Sequence, residues 1–412
     1  MQHSHSPDAR VVILGAGHAG GSVASFLRQY GFEGPITLIG EEPIPPYQRP
    51  PLSKAWLKGE ADADSLQLKA PEWYGENGVA LRLSNRAEAI DRAAREVRLS
   101  SGETVPYDIL VLATGARARA LPLPGSGLDG VLFLRTAADA EALRARLGPG
   151  KRLAVIGGGY VGLEAAASAM ALGGSAVVIE RESRVLARVA CEPLSRFYQE
   201  AHARRGVEIV TSASVTGLEG DGAVSAVTLA DGSRIACDVV VIGVGAQPNV
   251  ELAEAAALDC ADGVVVDETA RTSDPAIYAV GDVTHRPMPL YDRTARLESV
   301  PNALEQAKQA ASAIAGRPQP APEVPWFWSD QFDLKLQIAG VPYDCGQIVT
   351  RGDPASEKFA LFHLHDGVIR AVEAVNSPPE FMAGRLLIGK KTVVDPARLA
   401  DTSIPMKEVA QS

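Results

Sequence analysis

Two stretches of this chain repeat one pattern of apolar and polar positions. The first opens with Val11-Val12-Ile13-Leu14, passes through Gly15, Gly17 and Gly20 into a stretch of helical character to about Tyr30, and closes with Ile36-Thr37-Leu38-Ile39 and Glu41. The second opens with Leu153-Ala154-Val155-Ile156, passes through Gly157, Gly159 and Gly162 to about Leu172, and closes with Ala176-Val177-Val178-Ile179 and Glu180. Short β-branched runs bounded by glycine predict strands buried on both faces, and the longer stretch between them predicts a helix. Each copy therefore predicts strand, glycine turn, helix, strand and a terminal acid.

The second copy has a competing reading. From Leu153 to Ile179 the only charge is Glu164, and Gly158 and Gly162 form a small-x-x-x-small pair, so composition alone fits a membrane span. Gly157-Gly158-Gly159 and Gly173-Gly174 would interrupt a continuous helix, however, and both ends are β-branched, which predicts the soluble strand–turn–helix–turn–strand unit instead. Further on, Asp238 to Ile242 predicts a return strand ahead of Gly243-Val244-Gly245. Pro318, Pro320, Pro322 and Pro325 mark a linker into a smaller domain, where the alternation in Lys358 to Leu364 and Val368 to Val375 predicts strands. Met1 to Arg10 lacks the basic and apolar regions of a signal peptide and is expected to be a short frayed tail.

Composition narrows the class without naming it. A chain of 412 residues exceeds what one core usually supports, and 46% hydrophobic with 22% charged residues excludes disorder and fibrous repeats. A net charge of −10 argues against binding to nucleic acid or anionic membrane by bulk electrostatics. Cys191, Cys237, Cys260 and Cys345 offer neither a disulfide framework nor C-x-x-C spacing, so a reducing cytoplasm is expected. His363-x-His365 sets two imidazoles on one strand face without an evident acid or third ligand, which predicts solvent exposure and no metal.

The glycine turns carry the chemistry. The first glycine permits the tight turn, the second lets backbone approach a pyrophosphate, and the third lets helix and strand pack closely, with the helix N-terminus facing the phosphates. The acid follows the last glycine by about twenty residues in both copies, where it would accept hydrogen bonds from a ribose. Two such sites imply two dinucleotides, for which a hydride shuttle between NADH and bound FAD is the economical reason. A carboxylate at Glu180 disfavours a 2′-phosphate and hence favours NADH, although Arg181 adjoins it.

Val111-Leu112-Ala113-Thr114-Gly115 and Ile277-Tyr278-Ala279-Val280-Gly281-Asp282 resemble the Ala-Thr-Gly strand end and second FAD motif of the two-dinucleotide-binding flavoprotein reductases. Within them, Arg49-Pro50-Pro51-Leu52-Ser53-Lys54, Gly157 to Glu164, Leu290 to Arg293, Glu298 to Ala303 and Trp326 to Gln331 together resemble bacterial ferredoxin reductases of the putidaredoxin-reductase type, essentially end to end. The resemblance implies an α/β chain with two Rossmann-like dinucleotide-binding domains, the NAD domain (116–245) inserted in the FAD domain (1–115 and 246–316), and a smaller α+β C-terminal interface domain (317–412). It also implies an enzyme that passes electrons from NADH through FAD to a 2Fe–2S ferredoxin serving a cytochrome P450 or ring-hydroxylating oxygenase. Thiol-based relatives carry a cysteine in the region of Pro45 to Lys54, and here there is none.

The resemblance assigns roles residue by residue. Lys54 matches a lysine near flavin N5, Glu164 the acid beside it and the nicotinamide, and Trp328 an aromatic beside the flavin. Gly15, Gly17, Ala19, Gly20, Glu41, Arg49, Lys54, Thr114, Gly115, Arg135, Asp282 and Val300, with Gly157, Gly159, Gly162, Glu180 and Gly245, match cofactor-binding positions. Two other classes stay open: an NADH oxidase or flavin reductase, and an NADH-sensing flavoprotein resembling apoptosis-inducing factor. Ferredoxins of the implied type are acidic, so this acidic chain is expected to hold a local basic patch, with Arg286, Arg293 and Arg296, then Lys58, Arg385, Lys390 and Lys391, as candidates.

Overall fold

The apolar runs that open each glycine pattern become central strands of parallel sheets, buried on both faces as their unbroken hydrophobicity requires. In the computed structural model, which describes Ser6 and residues 8–410, the chain is divided into two compact units. Most of the expected N-terminal tail lies outside the described residues. The first unit comprises Met1–Gln48, Ala63–Arg117 and Gln247–Pro325. Its five-stranded sheet runs Ile277–Ala279, Ile109–Leu112, Val11–Leu14, Ile36–Ile39, Val79–Arg82, every neighbour parallel. Helix His18–Gln29 packs against helix Val300–Ile314, whose Ala307, Ala310 and Ala311 permit close approach and are fully buried.

The second unit comprises Arg49–Asp62, Ala118–Ala246 and Trp326–Ser412. It repeats the motif, with parallel strands in the order Glu208–Val210, Ser175–Ile179, Arg152–Ile156, Val239–Ile242, Val131–Leu132. Helix Tyr160–Ala171 follows the glycine turn, so the run from Leu153 to Ile179 is strand, helix and strand. Among the described residues no helix is long and apolar enough to cross a membrane.

The same unit holds a five-stranded antiparallel sheet in the order Trp326–Gln331, Leu334–Gly340, Val368–Val375, Lys358–His365, Gln347–Asp353, covered by helix Pro378–Gly389. Its inner side chains Leu334, Leu336, Phe359, Leu361 and Val375 join Leu153, Val155, Leu163 and Tyr198 in one core. Edge-to-face contacts of Phe197 with Phe359 at 4.9 Å and Tyr160 with Phe327 at 4.8 Å join helices Glu192–Arg204 and Tyr160–Ala171 to the antiparallel sheet. Arg49–Asp62 also packs here, although in sequence it falls inside the first cofactor domain. Leu57, fully buried, anchors its short helix Ala55–Lys58 in this core, and Ser168 Oγ donates to the Ser53 carbonyl at 2.8 Å.

Candidate functional site

The two glycine turns have nearly superimposable logic. Gly15 has φ +113°, and a side chain there would lie 2.1 Å from the Ala113 carbonyl oxygen, just past the return strand; Gly157 has φ +108° and would meet the Gly243 carbonyl at 2.4 Å. Only glycine serves at either position, because a Cβ would meet both left-handed strain and a backbone collision. Gly20 and Gly162 abut the carbonyls of Gly15 and Gly157 themselves, at 2.0 and 2.5 Å from a notional Cβ, which is how helix and turn pack. Gly17 and Gly159 sit at the helix N-caps with no side-chain cap and no acid in the first turn. The free N–H groups and positive dipole end therefore face outward, as a pyrophosphate needs.

In the first unit, Gly281, at φ +83°, brings the end of the Ile277 to Asp282 segment against Ala19 and Ala303. His18, the first residue of the helix, has a buried Nδ1 with no hydrogen-bond partner among the described residues, and burial lowers its imidazole below the ordinary value despite the opposing pull of Asp282. An orphaned nitrogen beside a bare glycine turn fits a bound dinucleotide phosphate or ribose. Thr114 donates to the Asn249 carbonyl at 2.9 Å, Asn249 Nδ2 donates to the Thr114 carbonyl at 2.8 Å, and the Gly115 carbonyl accepts from Asn249 N–H at 3.0 Å. Asn249, which the sequence did not single out, ties its own segment to Thr114 and Gly115 after strand Ile109–Leu112. Glu41 is exposed at the end of its strand, and Val300 opens helix Val300–Ile314 behind the Ser299 N-cap.

In the second unit, Glu180 spends one carboxylate oxygen on Gly158 N–H at 2.6 Å and the other on Glu182 N–H at 2.8 Å, which fixes it at the mouth of the turn. Arg181 points away to pair with Glu182. Gly245 has φ +112° and faces the Arg188 guanidinium, a cation beside the turn that no motif announced. Arg49 donates to the Arg135 carbonyl at 2.8 Å.

Lys54 and Glu164 meet. Lys54 Nζ donates to Glu164 Oε2 at 2.7 Å and to the Pro50 carbonyl at 3.1 Å, and Ser53 Oγ donates to the same Glu164 oxygen at 2.5 Å. Glu164 is 4% exposed, so the lone charge in its apolar run acquires the counter-charge it requires. Ser329 Oγ donates to Glu164 Oε1 at 2.6 Å. Trp328, on the neighbouring position of the strand, is half-buried with its ring 5.6 Å from that of Trp326. Ser53 and Ser329 were not anticipated; the alternation along Trp326–Gln331 was the available signal for the second.

Two expectations are corrected. Arg286 is no docking residue: it is 6% exposed and donates to Glu305 Oε2 at 2.7 Å and Asn302 Oδ1 at 2.9 Å. Arg296 is likewise tied to Asp262 and Glu298. Arg293, Lys390 and Lys391 are exposed. His363 is buried, not solvated, because its strand lies inside the sheet and is covered on both faces, with every residue from Phe359 to Leu364 buried, while His365 at the strand end stays partly exposed. Its Nε2 lies 3.1 Å from Glu373 Oε2, which also accepts from Cys191 Sγ. Burial and the adjoining carboxylate push the Cys191 thiol well up, which leaves it an unreactive donor. This trio clamps the start of helix Glu192–Arg204 to the antiparallel sheet.

A family model described as pyridine nucleotide-disulphide oxidoreductase matches residues 9–307, and one described as reductase C-terminal matches 326–410. The chain belongs to the pyridine nucleotide-disulphide oxidoreductase family. A probable ferredoxin reductase of Castellaniella defragrans is 55% identical over 97% of this chain and 98% of its own. Putidaredoxin reductase of Pseudomonas putida is 42% identical over 97% and 96%. The solved covalent putidaredoxin reductase–putidaredoxin complex matches with TM-score 0.95 at 42% identity, over 98% of each chain. This member of the family is therefore an FAD-dependent oxidoreductase of the putidaredoxin-reductase type that works with NAD(H), and both glycine cradles fit those cofactors.

Proposed function

We propose that the chain is an NADH-dependent ferredoxin reductase delivering electrons to a 2Fe–2S ferredoxin that serves a cytochrome P450 or ring-hydroxylating oxygenase. The observation that carries this reading is the duplicated cradle, Gly15 against Ala113 and Gly157 against Gly243, in one chain. The names of the similar reductases support the choice of ferredoxin. When bound, FAD accepts a hydride from NADH and releases electrons singly, which suits a one-electron iron–sulfur partner.

The chain's own residues hold and tune. Gly15, Gly17, Ala19, Gly20, Glu41, Thr114, Gly115, Asp282 and Val300, with Arg49 and Arg135, bind FAD; Gly157, Gly159, Gly162, Glu180 and Gly245 bind NADH. The Glu180 carboxylate, already oriented by two backbone donors, accepts ribose hydroxyls and repels a 2′-phosphate. Lys54 offers an ammonium to developing negative charge, and Glu164 positions it and keeps it from solvent. Trp328 supplies an aromatic wall. The thiols are all free and the most buried are raised, which suits a cytoplasmic protein without thiol chemistry.

Purified protein is expected to show a flavin spectrum that NADH bleaches faster than NADPH, and that a 2Fe–2S ferredoxin restores by carrying the electrons to cytochrome c. Absence of flavin, or no bleaching by NADH, would sink the reading. Rapid reoxidation by air that ferredoxin fails to accelerate would select an oxidase.

A further inference from the structure

The hydrogen bonds around Glu164 continue past its immediate neighbours. Strand Trp326–Gln331 alternates, so that Trp328 lies on one face while Ser329 and Gln331 lie on the other, both with no exposed surface. Gln331 Nε2 donates to Ser329 Oγ at 3.0 Å, and Gln331 Oε1 lies 2.8 Å from Nε2 of His202, a fully buried residue near the end of helix Glu192–Arg204. Three side chains, His202, Gln331 and Ser329, thus connect that helix to the carboxylate that holds Lys54.

The direction of every link follows from the groups present. A carboxylate only accepts, so the Ser329 hydroxyl must give its proton to Glu164. Ser329 then has only lone pairs left for Gln331, which orients the amide with its nitrogen toward the serine. The Gln331 carbonyl in turn needs a donor, and His202 must supply Nε2–H. His202 is therefore the neutral Nε2-protonated tautomer, with a bare Nδ1 that is buried and has no partner among the described residues. Burial pushes its pKa down to about 4, so the ring stays neutral near pH 7. All donors point the same way, toward Glu164, and hydrogen bonds aligned in a dry interior polarise one another.

We propose that His202 is a positioning residue for the Lys54–Glu164 pair, acting through Gln331 and Ser329 to hold Glu164 in the rotamer that presents Oε2 to the lysine ammonium. The proposal rests on the reading that this pair serves hydride transfer. Without these links, Glu164 keeps Ser53 and Lys54 on one oxygen only, and no other described donor on the Oε1 side fixes the torsion of its carboxylate.

The test uses the FAD-loaded full chain with His202→Leu, His202→Gln and Ser329→Ala, and Glu164→Gln as reference. A glutamine amide reaches roughly where the imidazole Nε2–H lies and restores the donor; leucine does not. Rapid mixing with NADH is expected to show flavin reduction slowed about tenfold in His202→Leu and Ser329→Ala, with NADH affinity within about twofold of wild type, and recovery in His202→Gln. Acetylation of Lys54 in NADH-free protein, followed by mass spectrometry, should be faster in His202→Leu and Ser329→Ala and normal in His202→Gln. If Glu164→Gln leaves flavin reduction unchanged, the role of the Lys54–Glu164 pair itself is wrong. If Glu164→Gln slows reduction while His202→Leu and Ser329→Ala match wild type in rate and in Lys54 labelling, or if His202→Gln fails to recover, His202 does not position the pair. Ser329→Ala removes one oxygen atom and keeps the measurement decisive should the leucine variant fold poorly.

Discussion

Lys54 and Glu164 form a buried ion pair whose members depend on each other. Lys54→Met leaves a carboxylate facing only hydroxyls, and a buried charge stripped of its partner costs about 3–5 kcal/mol. Chemical denaturation of Lys54→Met is expected to show a loss of that order, and Glu164→Gln a smaller one. Arg286→Ala strands Glu305 in the same way, so it should lower the melting temperature by several degrees while the ferredoxin kcat/KM of the folded fraction stays at the wild-type value. His202 gives a pH signature with a definite sign. Its folded pKa, about 4, lies below the unfolded value near 6.5. Between those values the unfolded chain binds the extra proton, so stability falls as pH drops through that window and is unaffected above it. Melting temperatures from pH 7 to pH 5 should fall more steeply for wild type than for His202→Gln. Lys54 and Glu164 were legible through resemblance and through one acid in an apolar run. Ser53, Ser329, Gln331 and His202 were not, because such residues are ordinary anywhere on a surface and acquire meaning only once the fold buries them.

The elements were legible where local physics is strong. Four-residue apolar runs with a glycine turn specify a buried parallel strand and the helix after it, since nothing else satisfies both the backbone and the apolar faces. The glycines permit a paired prediction. Gly15→Ala places a methyl group against the Ala113 carbonyl and should yield protein largely devoid of flavin; Gly157→Ala meets the Gly243 carbonyl and should retain flavin but bind NADH at least tenfold more weakly. Flavin content per chain and NADH titration check the two halves separately, and equal loss of flavin in both variants would contradict the assignment of one cradle to each cofactor. Where local physics is weak the reading failed. His363 is buried because its internal strand is covered on both faces, and no pattern within Lys358–His365 announces the second cover. Similarly, Arg49–Asp62 is too short to carry a core of its own, so Leu57 and Ser53 decide which unit it joins.

At the scale of the whole molecule the net charge of −10 would constrain the encounter with the acidic ferredoxin proposed as its partner. Electron transfer to ferredoxin is expected to slow severalfold between low and roughly 0.5 M salt, where the Debye length falls well below 10 Å, while NADH-driven reduction of a small neutral acceptor is nearly unchanged. Stopped-flow measurements across that range check it, and Arg293, Lys390 and Lys391 replace Arg286 and Arg296 as the charges to reverse. Sequence alone determined the two cradles, their order and the acid at each strand end, because each is written in consecutive residues under short-range steric and dipolar rules. Tertiary structure decided which polar residues surround Glu164, which arginines are spent inside the protein and that His363 is buried. Those outcomes depend on residues far apart in the chain, up to Ser329 against Glu164 and Cys191 against Glu373, and on the cost of burying a charge unpaired, which exists only after the core has closed.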